Sequence, residues 1–178
     1  DGGNSTGQLS GHTLIYIGGN STIGDESLTT TTRFNAERGS VFGAGNGNSN
    51  TTSAGKVYSS HVIIADTATI NGNVYGGGNY GQVGFQDTNP NNATIDVIGG
   101  TITGNIYGAG NNVGAGTASI TSNTNINFNS GTLNGSIFGG SRTKGVVYGS
   151  SNVNVLGGTI NTDVYGGGEG SSTVVGQN

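Results

Sequence analysis

The side chains best suited to acid–base chemistry in this 178-residue sequence are few and widely separated. Asp66 and Asp96 fall in the same segment of neighbouring repeat units and could be neighbours in space. Glycan cleavage by paired carboxylates needs the two groups within about 5–10 Å of each other. Because their positions within the repeat do not match, we interpret both as solvated turn or face residues. The sequence therefore predicts no catalytic residue, and we expect the protein not to be an enzyme.

The two histidines, His12 and His61, each lie near the start of the first segment of a repeat unit and could stack one repeat apart. Two histidines without a third ligand make a poor metal site. Calcium-binding β-rolls need an aspartate at a fixed step after their glycines, whereas the glycine tracts here are followed by Asn or by Glu169. We therefore expect no metal site and no cofactor, and interpret the histidines as surface or edge residues.

The composition argues against several classes of partner. Charged residues make up 8% of the chain and the net charge is −4, whereas a typical globular protein has about 25% charged residues. The five Lys and Arg residues are scattered, and nucleic-acid binding needs clustered cations. No apolar run approaches the ~20 residues of a membrane helix. We expect no nucleic-acid partner, no membrane span and, since Cys is absent, no disulfide.

A repeated aromatic motif organises the chain. Strings such as Gly-Asn-Val-Tyr-Gly-Gly-Gly-Asn place one aromatic anchor every 27 to 33 residues. The five anchors are Phe42, Tyr75, Tyr107, Phe138 and Tyr165. We expect these rings to pack inward as the main apolar mass of the core. The alternative is that the rings form an outward stacking strip. Ile70 and Val74 are an even number of residues apart and would face the same side, which puts Tyr75 on the outside unless the Asn71-Gly72 turn changes the alternation.

Two further segments precede each anchor. The first is an alternating run of β-branched and polar residues, which is typical of a strand. Its predicted inward residues are Ile95, Val97, Ile126, Phe128, Val153 and Val155, and its predicted outward residues are Asp96, Asn127 and Asn154. The second is a short Thr-containing piece, with Thr69, Thr101, Thr132 and Thr159 at equivalent positions. We expect these threonines and asparagines, like the rings, to form ladders.

Three short strands per unit cannot bury a face alone, but equivalent strands stacked in register can. We predict an all-β fold, a parallel β-solenoid (β-helix) of about five to six coils with roughly three short strands per coil. Neighbouring coils would lie about 4.8 Å apart. Identical residues would then fall above one another, so that Asn side chains exchange hydrogen bonds and aromatic rings stack.

The whole chain, residues 1–178, is expected to be one solenoid domain. Residues 1–10 read as a partial coil, and residues 25–38, which carry five charged side chains, read as a protruding insertion loop. We recognise no capping element at either end. Free sheet edges invite pairing with another chain, so either a longer protein continues the solenoid or copies stack end to end.

The strings Gly-Asn-Val-Tyr-Gly-Gly-Gly-Asn and Gly-Gly-Thr-Ile-Thr-Gly resemble the repeats of large secreted adhesin-like surface proteins of anaerobic bacteria and archaea. The resemblance spans nearly the whole chain. It implies a glycine-rich stalk, adhesin, sheath or fibre protein located outside the cell, and this family has no catalytic residues to carry over.

We therefore predict an extracellular structural protein, a self-assembling subunit of a cell-surface fibre, sheath or adhesive stalk. Its main partner would be further copies of itself, joined end to end or laterally into a filament. One alternative is an adhesin module that binds a glycan or surface protein through the loop at residues 25–38. Another is an ice-binding solenoid that uses the outward Thr ladder.

Overall fold

A computed structural model describes residues 8–25, 38–47, 55–84, 92–111, 119–120 and 123–176, and over these ranges the chain is all-β without a helix. The longest strands are β1 (Gln8–Ile17), β4 (Lys56–Ile64), β7 (Ala93–Ile102), β10 (Thr124–Leu133) and β13 (Ser151–Val155). The anchors lie on β3 (Val41–Phe42), β6 (Val74–Tyr75), β8 (Ile106–Tyr107), β11 (Ile137–Phe138) and β15 (Val164–Tyr165). The remaining strands are β2 (Thr22–Ile23), β5 (Thr69–Ile70), β9 (Ser119–Ile120), β12 (Lys144–Val147), β14 (Thr159–Ile160) and β16 (Ser172–Val175).

The strands form three parallel sheets in which each strand pairs with its equivalents in neighbouring repeats. The first sheet runs β1-β4-β7-β10-β13 and is extended by β2, β5 and β14; the ring-bearing sheet runs β3-β6-β8-β11-β15; the third runs β9-β12-β16. Parallel stacking of equivalent segments is the architecture of a β-solenoid. The solenoid makes about four turns, which is close to the five to six coils predicted, and the predicted fold class is confirmed.

Alternation along the long strands fills the interior as predicted. Ile95, Val97, Ile126 and Phe128 are buried in one apolar cluster, against which Val153 packs. Val155 was also expected to point inward, but it is 47% exposed. It lies on β13, the last strand of its sheet, so it has a neighbouring strand on one side only.

Two segments singled out in the sequence lie only partly within the described residues. Gln8–Ser10 open β1, and Gln8 and Leu9 pair with Lys56 and Val57, so this part of residues 1–10 continues the solenoid. Residues 1–7 lie outside the described ranges. Of the charged segment at residues 25–38, only Asp25 and Arg38 lie inside them, and its role as a binding loop stays a prediction.

Successive layers approach one another closely at the glycine that follows each of the first four rings. A Cβ atom added to Gly76 would fall on the carbonyl oxygen of Gly108, and one added to Gly108 would fall on that of Gly139. At Gly166, the equivalent residue of the last layer, no atom lies within 4 Å of the added carbon. Only glycine therefore permits normal strand spacing at the inner positions of this column.

Hydroxyl groups on the long strands tie the interior together at the same glycines. Ser60 Oγ donates to the carbonyl oxygen of Gly76, and Thr124 Oγ1 donates to that of Gly139 over 2.6 Å. Both hydroxyl-bearing residues are buried. A buried carbonyl without a partner is costly. The two hydroxyls therefore satisfy glycine carbonyl oxygens that point into the interior.

The glycine column generates a matched pair of substitutions. Gly108→Ala should lower the free energy of unfolding by about 1–3 kcal/mol, because the added methyl forces two layers apart. Gly166→Ala places the same methyl in open space and should leave the stability of the single chain unchanged. Urea unfolding of the two variants measures both values. Equal destabilisation by the two substitutions would contradict this account of the packing.

Candidate functional site

The five aromatic anchors form one continuous stack, named here the aromatic column: Phe42, Tyr75, Tyr107, Phe138 and Tyr165. Successive ring centroids lie 4.6, 4.9, 5.2 and 4.9 Å apart, and neighbouring ring planes differ by 0° to 12°. The in-register pairing of the two-residue strands that carry the rings sets this geometry. The structure thus brings all five sequence-predicted ring residues together.

The aromatic column lies on the side of its sheet opposite the main apolar cluster. Ile70 and Val74 both belong to that cluster, so the Asn71-Gly72 turn does not reset the parity. Successive side chains of a strand point to opposite faces, which places Tyr75 away from Val74. Our expectation that the rings form the main apolar mass of the core is therefore wrong. Tyr75 and Tyr107 are nevertheless fully buried within their own column.

Each buried tyrosine hydroxyl is bonded by the asparagine two positions earlier. Asn73 Nδ2 donates to the Tyr75 hydroxyl over 3.2 Å, and Asn105 Nδ2 donates to the Tyr107 hydroxyl over 2.8 Å. The same side chains also link layers, because Asn73 Oδ1 accepts the backbone N–H of Asn105 over 2.8 Å. One asparagine thus satisfies a ring hydroxyl and connects its layer to the next.

The layers with phenylalanine carry serine at this position. Ser40 precedes Phe42 and Ser136 precedes Phe138. Ser40 Oγ accepts the N–H of Asn73 over 3.0 Å, so the link between layers is kept while the donor to a ring hydroxyl is absent. In the sequence, Asn accompanies Tyr75 and Tyr107 and Ser accompanies both phenylalanines, whereas Tyr165 has Asp163 at this position. Our sequence analysis missed this pattern because it grouped the anchors only by aromatic character.

Two charged side chains from the last two layers reach back over the aromatic column. The Tyr107 hydroxyl donates to Glu169 Oε2 over 2.6 Å, and Arg142 Nη1 lies 3.5 Å from the Tyr75 hydroxyl. Arg142 Nε and Glu169 Oε2 are 3.8 Å apart. Burial, and after it the hydrogen bond to Glu169, raise the pKa of Tyr107 well above its usual value. Burial and the neighbouring Tyr107 raise the pKa of Tyr75 likewise.

These two side chains border a cavity of about 340 Å³, named here the polar groove. Its lining comprises Asn73, Thr103, Gly104, Asn105, Tyr107, Asn134, Gly135, Arg142 and Glu169. Side chains from successive layers thus contribute amides, hydroxyls, one carboxylate and one guanidinium to a single concave surface. Of these residues, the sequence analysis had selected only Tyr107 as a ladder residue. The signal that it overlooked is that Arg142 and Glu169 stand where three other layers have Asn.

The predicted Thr ladder is present and has one more member than expected. Thr69, Thr101, Thr132 and Thr159 align in register, and Thr22 extends the row at its other end. Two residues further along, Asn161 Nδ2 donates to Asn134 Oδ1 over 2.9 Å. Asn71 also belongs to this second row, which follows the threonines by two residues, and it is only 2% exposed. The Thr row and the second row therefore do not form one uniformly exposed array. The ice-binding alternative stays a prediction.

The outer face of the first sheet carries the Asn ladder. Asn154 Nδ2 donates to Asn127 Oδ1 over 2.9 Å, and Asn127 Nδ2 donates to Asp96 Oδ1 over 2.7 Å. The other oxygen of Asp96, Oδ2, lies 2.6 Å from His61 Nε2. Asp66 instead accepts the N–H of Gly19 over 2.8 Å. The two aspartates therefore have separate partners, in agreement with their interpretation as face and turn residues.

The histidines do not stack on each other. The pairing of β1 with β4 places His12 opposite Ser59 and Leu14 opposite His61, so the two histidines are offset by two residues. Within the described ranges, no group of three or more His, Cys, Asp or Glu side chains is arranged to hold a metal ion. The same ranges contain no helix long and apolar enough to cross a membrane.

Taken together, the stacked parallel strands and their side-chain ladders define this chain as a β-solenoid repeat protein. No protein-family model, no curated protein and no solved structure matches the chain.

The pairing of Asn with Tyr predicts an energetic coupling. Asn73→Ser should strip the buried Tyr75 hydroxyl of a donor, and Tyr75→Phe should strip the Asn73 amide of an acceptor, each costing about 1–3 kcal/mol. The double variant recreates the Ser and Phe combination of two other layers and should cost less than the sum of the single changes. A double-mutant cycle by chemical unfolding should give a coupling of about 1 kcal/mol. Additive losses would show that the pairing has no energetic basis.

The raised tyrosine pKa values predict alkaline instability. Tyr75 and Tyr107 stay neutral in the folded chain above pH 10, where tyrosines of the unfolded chain ionise. The unfolded state then binds fewer protons than the folded state. The contribution of these two tyrosines to stability should thus be constant below pH 10 and fall above it by up to about 1.4 kcal/mol per pH unit for each residue. Unfolding experiments across this range, with a Tyr75→Phe/Tyr107→Phe variant as control, measure the slope. An unchanged slope in the variant would contradict the assignment.

Proposed function

We propose that this protein is an extracellular structural subunit that assembles end to end, each copy continuing the solenoid of the next in a fibre, sheath or stalk. The observation that carries the proposal is the in-register stacking of equivalent strands, rings and asparagines along one axis. Residues of inner layers such as Ile106 and Tyr107 are fully buried by this stacking. The layer formed by β13 to β16 presents the same ladder groups to whatever layer follows it.

Apolar side chains of the last layer are open to solvent. Val155, Val164, Tyr165 and Val174 are each 41–48% exposed. Their inner equivalents, such as Ile106 and Tyr107 on β8, are fully buried. Exposed apolar side chains gathered on one layer favour an interaction at that layer. A further repeat of the same shape would bury these side chains, as the equivalent side chains are buried between inner layers.

The backbone groups of the ring-bearing sheet have a fixed direction. The N–H of Ile137 donates to Asp163 O over 3.0 Å, and the N–H of Gly139 donates to Tyr165 O over 2.8 Å. The equivalent N–H groups on and after β15 belong to Val164 and Gly166, and they face beyond the last strand of the sheet. A stacked copy would meet them with carbonyl oxygens, in a head-to-tail contact.

The opposite edge of the ring-bearing sheet is more covered, since Val41 and Ala44 are buried there. A cavity of about 400 Å³ there is lined by Ile15, Val41, Phe42 and Ala44, together with Ser40 and Asn46. These residues belong to β1, to β3 and to the residues just before and after β3, and β1 and β3 lie at the other edge of their sheets. Because the two ends differ and all strands run parallel, the contact is heterologous, and such contacts build open filaments rather than closed dimers.

The extracellular location rests on the resemblance of the Gly-Asn-Val-Tyr-Gly-Gly-Gly-Asn strings to secreted surface proteins. The ladders support a mechanical role, since the backbone bonds, stacked rings and Asn side chains all repeat along one axis. Cross-β assemblies gain their strength from the same interactions.

The glycine column supplies the test of end-to-end assembly. In a stacked pair, Gly43 of the second copy would meet Gly166 as Gly166 meets Gly139, so Gly166→Ala should abolish filaments while the single chain stays folded. The matched control is Gly167→Ala, since Ala44 and Ala109 already occupy the equivalent position in other layers, and it should assemble normally. Electron microscopy and fibre diffraction, with a reflection near about 4.8 Å, measure assembly.

Two outcomes would overturn the proposal. A wild-type chain that stays dispersed at high concentration would exclude self-assembly of the chain. Filaments formed equally well by Gly166→Ala would exclude end-to-end contact through the ring-bearing sheet and would point to lateral association.

A further inference from the structure

We propose that the polar groove binds a neutral, hydroxyl-rich ligand of the pyranose sugar class. This inference goes beyond the structural role and does not depend on it. It starts from a break in the repeat. The position four residues after each ring is Asn in three layers, Asn46, Asn79 and Asn111, and becomes Arg142 and Glu169 in the last two.

The asparagines at this position form a ladder of their own. Asn79 Nδ2 donates to Asn46 Oδ1 over 2.9 Å, and Asn111 Nδ2 donates to Asn79 Oδ1 over 2.8 Å. Arg142 and Glu169 replace this ladder by charged side chains in a chain that is only 8% charged. Departures from an otherwise consistent pattern are expected at functional sites, and both departures here border one cavity.

The size of the groove suits a small ligand. Its volume of about 340 Å³ lies at the low end of ligand pockets, which span roughly 300–1,000 Å³. The two charged side chains remain accessible, since Arg142 is 22% and Glu169 is 45% exposed. A ligand can therefore reach both groups from solvent without rearrangement of the layers.

The chemistry of the lining favours a neutral polyol. The carboxylate of Glu169 and the guanidinium of Arg142 lie 3.8 Å apart and compensate each other's charge, so the groove has no excess charge to attract a phosphate or a metal cation. The guanidinium only donates hydrogen bonds and the carboxylate only accepts them. The Asn134 amide offers its N–H donors, since its Oδ1 already accepts from Asn161. Alternating donors and acceptors match the adjacent hydroxyls of a sugar ring.

The groove is organised before any ligand arrives. Asn105 holds the Tyr107 hydroxyl over 2.8 Å, and that hydroxyl holds Glu169 Oε2 over 2.6 Å. The ring of Tyr107 is fixed in turn between its stacked neighbours. Because ordering flexible side chains on binding reduces affinity, a carboxylate already held in place retains more of the energy of its contacts with a ligand.

The test uses the full chain and three probes, the methyl glycosides of glucose, galactose and mannose. Saturation-transfer NMR and calorimetric titration should detect binding of at least one glycoside to the wild-type chain. Glu169→Gln and Asn134→Ala should each weaken that binding by tenfold or more. Asp96→Asn, on the outer face of the first sheet, is the matched control and should bind as the wild type does.

Three results would overturn the inference. The wild-type chain binds none of the three glycosides, or binding survives unchanged in both groove variants, or inorganic phosphate competes for the site as well as the best glycoside does. Repeating the titration on Gly166→Ala separates this inference from the proposed assembly. Sugar binding by that variant should equal that of the wild type whether or not filaments form.

Discussion

The structure depends on the close approach of successive layers at the glycine after each ring. Gly76 packs against the carbonyl of Gly108, and Gly108 against that of Gly139, with no room for a methyl group. The absence of a side chain at these glycines permits the backbone hydrogen bonds to hold neighbouring strands at the β-sheet spacing of about 4.8 Å. Ring centroids 4.6 to 5.2 Å apart are the direct consequence, because equivalent side chains inherit the spacing of their backbones.

The interior shows how a chain with only 30% hydrophobic residues becomes ordered. Small apolar clusters line the axis, and buried hydroxyls such as that of Thr124 satisfy the carbonyls between them. Each such bond contributes a net of only about 0.5–1.5 kcal/mol, so stability rests on repetition. An interior layer gains from both neighbours, whereas a layer with one neighbour gains from that neighbour alone.

Much of the fold could be predicted from the sequence because repetition turns a local pattern into a global one. Alternation at Ile95, Val97, Ile126 and Phe128 indicated both strand and inward face, and equal spacing of the anchors indicated parallel stacking. The side of the sheet on which the rings lie could not be predicted, because it depends on whether a two-residue turn at Asn71-Gly72 changes the strand parity. Either answer fits the same sequence, and only the path of the backbone decides.

The polar groove was hidden for a different reason. Arg142 and Glu169 occupy the position of a structural asparagine, yet their longer side chains reach Tyr75 and Tyr107, two layers back. That reach depends on the spacing of the layers and on which face carries the column, neither of which a single repeat encodes. A solenoid fixes its interior positions tightly, since a change in one layer disturbs the layers above and below. Positions at its corners escape this constraint. The fold by itself requires the ladder residues. Arg142 and Glu169, a non-repeating pair of charges at a corner, are therefore more informative about function than the ladder residues are.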